Sequence, residues 1–288
     1  MKSVVKPFLK WAGGKTQLLP QLSNAFPKGL EQYDTFVEPF VGGGAVLFHI
    51  LSRYPNIKNI VINDINSKLI KTYVIVKERP DELISYLEEL QHRFWELNDR
   101  KQMLFYLGKR NRFNTEELSD IEFVALFIFL NKTCFNGLYR VNKKNEFNVP
   151  FGRYKKPTIC NSKLIIRASE LLQRVTILEG DYANILGSLQ GRSFIYFDPP
   201  YKPISKTSSF TAYNNMGFDE SQQIRLASFC KTLNDDSKWM LSNSSSGDNS
   251  FFRKHYRNCK IRQIEARRSI SANAKSRGGV QELLITNY

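Results

Sequence analysis

Cysteine and histidine are scarce. The 288-residue chain has four cysteines (Cys134, Cys160, Cys230, Cys259), no two closer than 26 positions, and three histidines. That spacing supplies no Cys-x-x-Cys pair, no zinc ligand set and no disulfide framework, so no metal is expected and an oxidised extracellular scaffold is set aside. Long apolar runs are missing too. The longest, Phe123–Leu130, has eight residues, against roughly 20 needed to span a bilayer. The N-terminal segment lacks the apolar stretch and small-residue cleavage site of a secretory signal. Acidic residues are in deficit, 27 against 42 Lys and Arg, leaving a net charge of +15. The expectation is a soluble, reduced, cytoplasmic protein with no membrane segment. A polyanion is the first partner to consider, and an acidic membrane surface the second. Hydrophobic residues at 42% and aromatics at 13% provide a core, which excludes a disordered basic tail.

What is present alternates. Thr35–Phe40, Asn59–Asn63, Val175–Leu178, Phe194–Phe197 and Trp239–Leu241 carry Val, Ile and Phe with few charges, as strands covered on both faces do. Ala45–Arg53, Ser67–Lys77 and Glu220–Leu233 read as intervening helices, so the pattern predicts a helix-covered parallel sheet. Ile261–Arg268 and Gln281–Asn287 flank a polar loop and predict an antiparallel pair at the sheet edge. Residues 80–131 are helical in pattern, with Leu83, Leu87 and Leu90 on one face. In the segment after them, LYRVNKKNEFNV predicts a β-hairpin near residues 136–150. Lys132, Arg140, Lys143, Lys144, Arg153, Lys155 and Lys156 surround it against one acid, Glu146. Residues 66–170 therefore read as an insertion between two parts of one catalytic domain, 1–65 and 171–288. A subunit interface is the other reading of that basic segment.

Val37-Glu38-Pro39-Phe40-Val41-Gly42-Gly43-Gly44-Ala45 runs from a strand into a helix, where glycines permit a sharp turn and close approach of a ligand. Asp64, in Asn63-Asp64-Ile65-Asn66, ends the next strand, where a carboxylate meets ribose hydroxyls in nucleotide crevices. Leu47 stands where the dinucleotide fingerprint needs its third glycine. Gly13-Gly14-Lys15-Thr16 is no phosphate loop, because Leu9 occupies the place of its first glycine and no apolar strand leads into it. What remains is a crevice for an adenosine ligand that does not depend on phosphate capture. S-adenosylmethionine fits, with its ribose at Asp64 and its amino-acid tail near the glycine loop and Lys15. Its sulfonium suits carboxylate and aromatic faces.

Asp198-Pro199-Pro200-Tyr201 ends a buried strand. Both prolines fix φ and lack an N–H, so the platform offers acceptors and few donors. That suits an amino group. The exocyclic nitrogen of adenine is a poor nucleophile because its lone pair is delocalised into the ring. The Asp198 carboxylate and Pro199 carbonyl would draw its hydrogens out of plane and aim the lone pair at a methyl donor. Tyr201 offers a face for the base once it has left the duplex.

These motifs, in this order, resemble a DNA adenine-N6 methyltransferase of the Dam type (D12 class, alpha group). They are Lys10–Lys15, Val37–Ala45, Asn63–Asn66, Phe135–Pro157, Asp198–Tyr201, Thr211–Phe218 and Arg267–Tyr288. The resemblance implies an S-adenosylmethionine-dependent methyltransferase fold, a doubly wound α/β mixed sheet with an antiparallel last strand and an inserted target-recognition domain. It implies cofactor contacts at Trp11, Lys15, Asp64 and Asp198, with Glu38, Phe40, Gly42 and Gly44 in the glycine motif and Asp181 and Tyr182 near the cofactor's adenine. In relatives that read GATC, Lys10, Leu138, Arg140, Pro150 and Tyr154 match base-contacting positions. Phe135 and Asn136 match residues that enter the helix as the adenine leaves; Phe135 stands where Tyr is common. The implied partner is double-stranded DNA, with GATC the expected site and GATATC the alternative, bound by a monomer. A nicotinamide-dependent oxidoreductase would leave Asp198–Tyr201 without a task. A DNA-binding protein that had lost catalysis should show decay at Asp198 or Asp64.

Overall fold

Strands flanked by helices on both sides must bury both faces, and successive residues here do so alternately. Phe36, Ile60, Ile62, Phe194 and Tyr196 point into one core, while Val37, Val61, Ile195, Phe197 and Leu241 point into a second core on the opposite face. The computed structural model describes residues 4–202, 218–245, 249–266 and 280–288. In these residues seven strands form one sheet: β1 (Thr35–Glu38), β2 (Asn59–Asp64), β3 (Val175–Glu179), β4 (Ser193–Phe197), β5 (Ser237–Ser244), β6 (Lys260–Ala266) and β7 (Val280–Thr286). Their order is β3-β2-β1-β4-β5-β7-β6. The pairings through β5 are parallel, and β7 is antiparallel to both neighbours. The sheet is thus the mixed α/β sheet expected from the sequence. From β1 the chain winds outward to β2 and β3, then returns to place β4 on the other side of β1. The carboxyl ends of β1 and β4 are therefore a switch point, where such sheets open a ligand crevice.

One face carries α1 (Leu19–Ala25), α2 (Ala45–Arg53), α3 (Ser67–Glu78) and α7 (Ser162–Leu172). Three further helices, α4 (Pro80–Trp95), α5 (Asp99–Thr115) and α6 (Asp120–Thr133), extend the same core outward. Leu83, Leu87, Leu90 and Phe94 form the buried stripe of α4. A capping box between Ser119 and Glu122 starts α6, which is apolar all round and is buried between α3, α4 and α5. The other face carries α8 (Glu220–Thr232) and α9 (Ser250–His255).

The expected hairpin is present in short form. Val141 and Phe147 bridge antiparallel, Asn142 N–H donates to the Glu146 carbonyl at 2.9 Å and Asn148 N–H to the Arg140 carbonyl at 3.1 Å, about a turn closed by Asn145 N–H to Asn142 O at 3.0 Å; Cys134 bridges Phe151 at its base. Side chains of α5 take up backbone groups that face away from this pairing. Tyr106 Oη and Arg110 Nη1 donate to the Val149 carbonyl at 2.7 and 3.1 Å. Asn114 brackets Phe147, accepting from its N–H at 2.8 Å and donating to its carbonyl at 3.0 Å. Lys68 of α3 holds the Asn145 carbonyl at 3.0 Å. The segment is a short hairpin fastened to helices. Of the expected motifs, Thr211–Gly217 and Arg267–Gly279 lie outside the described residues.

Candidate functional site

β1 ends at Glu38 and passes into a turn in which Gly42 and Gly44 have φ of +49° and +73°. A Cβ on Gly44 would stand 2.5 Å from Tyr73 Oη, and one on Gly42 would stand 3.0 Å from the Trp11 ring. Both glycines are thus required, by conformation and by close approach. Tyr73 Oη donates to the Gly42 carbonyl at 3.0 Å, pinning the turn to α3. Asp64, at the end of β2, accepts from Gly42 N–H at 3.1 Å and Asn66 N–H at 3.0 Å. Its neighbour Asn63 ties three strand ends together, donating to the carbonyls of Pro39 at 3.1 Å and Gly180 at 2.9 Å.

At the end of β4, Asp198 meets Lys15, whose ammonium lies 2.9 Å from Asp198 Oδ1 and donates to Tyr201 Oη at 2.7 Å and to the Gly13 carbonyl at 3.1 Å. A lysine only 4% exposed needs such partners. The same ammonium sits 4.7 Å from the Tyr201 ring centre. Tyr201 Oη in turn donates to Glu282 Oε2 of β7 at 2.6 Å. Pro199 is buried, and its carbonyl receives no hydrogen bond from the described residues. The Pro200 carbonyl is already held by Gln223 Nε2 at 2.8 Å.

Carboxyls outnumber cations in this crevice. Burial pushes Asp198 up to about 6, with the Glu282 charge adding to it and Lys15 opposing. Burial likewise pushes Asp64 up to about 6, against the pull of the Asn66 and Gly42 N–H groups. Glu38, fully within the site, is raised well above the usual carboxylate range by burial and by Asp198, and its Oε2 has no donor among the described residues. A ligand carrying positive charge would relieve this excess.

The remaining expected cofactor residues form the rim. Phe40 packs on Tyr182 with ring centres 5.3 Å apart, and Phe218 stands edge-on to Phe40 at 5.8 Å. Asp181 is held bidentately by Arg225 at 2.6 and 2.9 Å, which keeps its carboxyl below the usual range. The Arg225 guanidinium lies 4.9 Å above the Tyr182 ring.

The expected DNA-reading residues gather on the loop that leaves α6. Phe135 is 49% exposed, and its N–H donates to the Pro150 carbonyl at 2.9 Å. Asn136, in the left-handed region at φ +56°, donates its N–H to Tyr154 Oη at 2.9 Å. The Lys10 ammonium lies 4.8 Å over the Tyr154 ring. Leu138 is half-buried against the core. Arg140 stands apart from this group, exposed, with Nε and Nη2 donating to Asn148 Oδ1 at 2.7 Å and to its carbonyl at 3.0 Å. None of Arg140, Lys143, Lys144, Arg153, Lys155 and Lys156 joins a salt bridge with a described residue.

The strap Lys10–Lys15 joins the two regions. Asn131 of α6 clasps the Lys10 backbone, accepting from its N–H at 2.9 Å and donating to its carbonyl at 2.7 Å, and reaches the Gly137 carbonyl at 3.2 Å. Next along, Trp11 lies on the glycine turn and stacks on Tyr139 with ring centres 5.3 Å apart. Five residue steps cannot exceed about 18 Å, so the Lys10 and Lys15 backbones lie within that distance of each other. Sequence reasoning missed Glu282, Gln223, Arg225, Asn131 and Tyr73. Glu282 lies within the motif Arg267–Tyr288, where no spacing rule marks it for a role.

Residues 11–270 match the family model described as D12 class N6 adenine-specific DNA methyltransferase. The chain is 48% identical over 290 residues to the type II methyltransferase M.MjaIII of Methanocaldococcus jannaschii, covering 99% of each. It is 40% identical to the type II methyltransferase M1.LlaDCHI of Lactococcus lactis subsp. cremoris, covering 99% of this chain and 96% of that one. It is 38% identical to the DNA adenine methylase of Escherichia coli, covering 97% and 94%. Among solved structures, an rRNA methyltransferase from Streptomyces viridochromogenes overlaps loosely, with a TM-score of 0.37 at 11% identity over 98% of this chain and 90% of that one. Taken over nearly the whole length, the family match and these identities establish that the chain belongs to the D12 class of N6 adenine-specific DNA methyltransferases.

Proposed function

We propose that this enzyme methylates N6 of an adenine everted from duplex DNA, within GATC, using S-adenosylmethionine. The carrying observation is the contact of Lys15 with Asp198 and Tyr201 in a crevice lined by Glu38, Asp64 and Glu282. S-adenosylmethionine, when bound, supplies an electrophilic methyl group on a cationic sulfur. The residues fit it: an excess of carboxyls for its positive charges, a Glu38 oxygen with no donor among the described residues, and a turn whose glycines admit no side chain. Asp64 would take the ribose hydroxyls, Phe40 and Tyr182 the adenine face, and Asp181 the adenine amine. Trp11, Glu38 and Lys15 would border the amino-acid end.

Chemistry on a paired base requires that it leave the stack. Phe135, exposed on its loop, would fill the space left behind, with Asn136 beside it. The everted base would stack on Tyr201. Lys15 holds Asp198 Oδ1, so the second carboxylate oxygen and the Pro199 carbonyl serve as the two acceptors for the amine hydrogens. With both hydrogens so held, the nitrogen lone pair is turned out of conjugation, and positioning carries the catalysis. The proton is shed after transfer, when the methylated amine is strongly acidic.

Arg140 would grip guanine O6 and N7 in the major groove, while Lys143, Lys144, Arg153, Lys155 and Lys156 meet phosphates and fix register. Lys10, Leu138, Pro150 and Tyr154 complete the reading surface. This reading divides the chain into a catalytic domain (1–65 and 171–288) and a target-recognition domain (66–170), acting as a cytoplasmic monomer on DNA. No described helix is long and apolar enough to cross a membrane. Transfer of a tritiated methyl group onto duplexes altered at each GATC position tests it. Label on adenine that falls with each alteration is expected. Label on cytosine, or equal labelling of all duplexes, would overturn the reading; preference for GATATC would replace the site alone.

A further inference from the structure

Glu282 brings more than charge to the crevice, because its placement is specific. It enters from β7, the strand inserted antiparallel between β5 and β6, opposite Ser244 on one side and Ile264 on the other. Its side chain is 14% exposed, and Oε2 lies 3.7 Å from the Lys15 ammonium and 2.6 Å from Tyr201 Oη. The Tyr201 hydroxyl accepts from Lys15 at 2.7 Å, so its own single proton must go elsewhere. A phenol has one O–H to donate, and Asp198, held by the same lysine, is the competing acceptor. Were the proton given to Asp198, it would occupy a lone pair that the amine of the target base needs. Glu282 takes that proton instead.

We propose that Glu282 is a positioning residue of the methyl-transfer site: it commits the Tyr201 hydroxyl away from Asp198, leaving the carboxylate free for the amine and the ring fixed as the stacking surface. The inference rests on Asp198 being the amine acceptor. Hydrogen bonds to charged groups contribute enough that losing one lowers a rate by roughly 10- to 100-fold. In Glu282→Ala, kcat is expected to fall by that amount with KM for DNA nearly unchanged. Glu282→Gln, which retains an acceptor of the same shape, should recover most of the loss. In both variants the acid limb of kcat/KM moves to lower pH, because a carboxylate that raises Asp198 has been neutralised.

Tyr201→Phe removes the proton that Glu282 controls. It should cost less than Glu282→Ala, and adding Glu282→Ala to it should cost little more. Equal losses from Glu282→Ala in the wild-type and Tyr201→Phe backgrounds, or an unmoved acid limb with only a lowered melting temperature, would overturn the proposal. Asp198→Ala separates the two levels. Turnover retained there defeats the amine-acceptor reading itself. A dead Asp198→Ala beside an unaffected Glu282→Ala defeats this inference alone.

Discussion

The Lys15 ammonium and the Asp198 carboxylate, far apart in sequence, meet at 2.9 Å with the lysine almost wholly buried. Neither charge would be tolerable there alone. The pair holds the first turn of the chain to the end of β4 and fixes which carboxylate oxygen faces the crevice.

Asp198→Ala should therefore lower kcat by at least about a hundredfold, the scale of losing one preorganised polar contact, while duplex binding survives. Methyl transfer and gel-shift binding on the same preparation check this, and normal turnover in the variant would discard the mechanism.

Activity should fall as pH drops below about 6. Burial raises both Asp64 and Asp198 to about 6, and their protonated forms neither accept an amine hydrogen nor offset a cationic ligand. Stability runs the other way. Unfolded aspartates release their protons near pH ~4, whereas these two keep them to about 6. The folded state thus binds more protons in that window, and their contribution to stability falls as pH rises through it. Asp64→Asn removes one such group. Its melting temperature should gain on that of the wild type between pH 4 and 6, on the order of the pKa difference involved; a constant difference would sink the assignment.

Arg140→Ala should relax discrimination at one base pair by about 1–3 kcal/mol. Asn148→Ala, which removes the side-chain acceptor of Arg140 Nε and leaves the bond to the Asn148 carbonyl, should cost less and affect the same base pair. Competition binding on single-substitution duplexes distinguishes this from a uniform loss, which would make Arg140 a phosphate contact.

Gly44→Ala should destabilise the fold by about 1–3 kcal/mol, the cost of holding a side chain in a left-handed backbone. It also forces a methyl group against Tyr73 Oη, so cofactor affinity falls with it. Denaturation and equilibrium binding measure the two effects separately. A variant as stable as wild type would show that the turn can relax.

Much of this arrangement was legible in the chain. The strand runs at Thr35, Asn59, Val175 and Phe194, the glycine turn and Asp64 are local patterns, and Asp198–Tyr201 announces itself by composition. The expected hairpin is short, and its outer edge is fastened by Tyr106, Arg110 and Asn114, which lie on a helix whose proximity no local pattern encodes. Glu282 escaped for a related reason: it reaches Tyr201 only because β7 inserts antiparallel between β5 and β6. Asn131, within an apolar helix, reads as an imperfection until its clasp on the Lys10 backbone is seen.

The strap from Lys10 to Lys15 touches the glycine turn through Trp11, the loop after α6 through Lys10 on Tyr154 and Trp11 on Tyr139, and the end of β4 through Lys15. A methyl donor and a duplex bound as proposed would both press on this one short stretch of backbone, so their affinities are expected to be coupled. By whatever factor a methyl donor tightens the grip on duplex, the duplex must tighten the grip on the donor, so a lesion at Trp11 should appear in both dissociation constants at once.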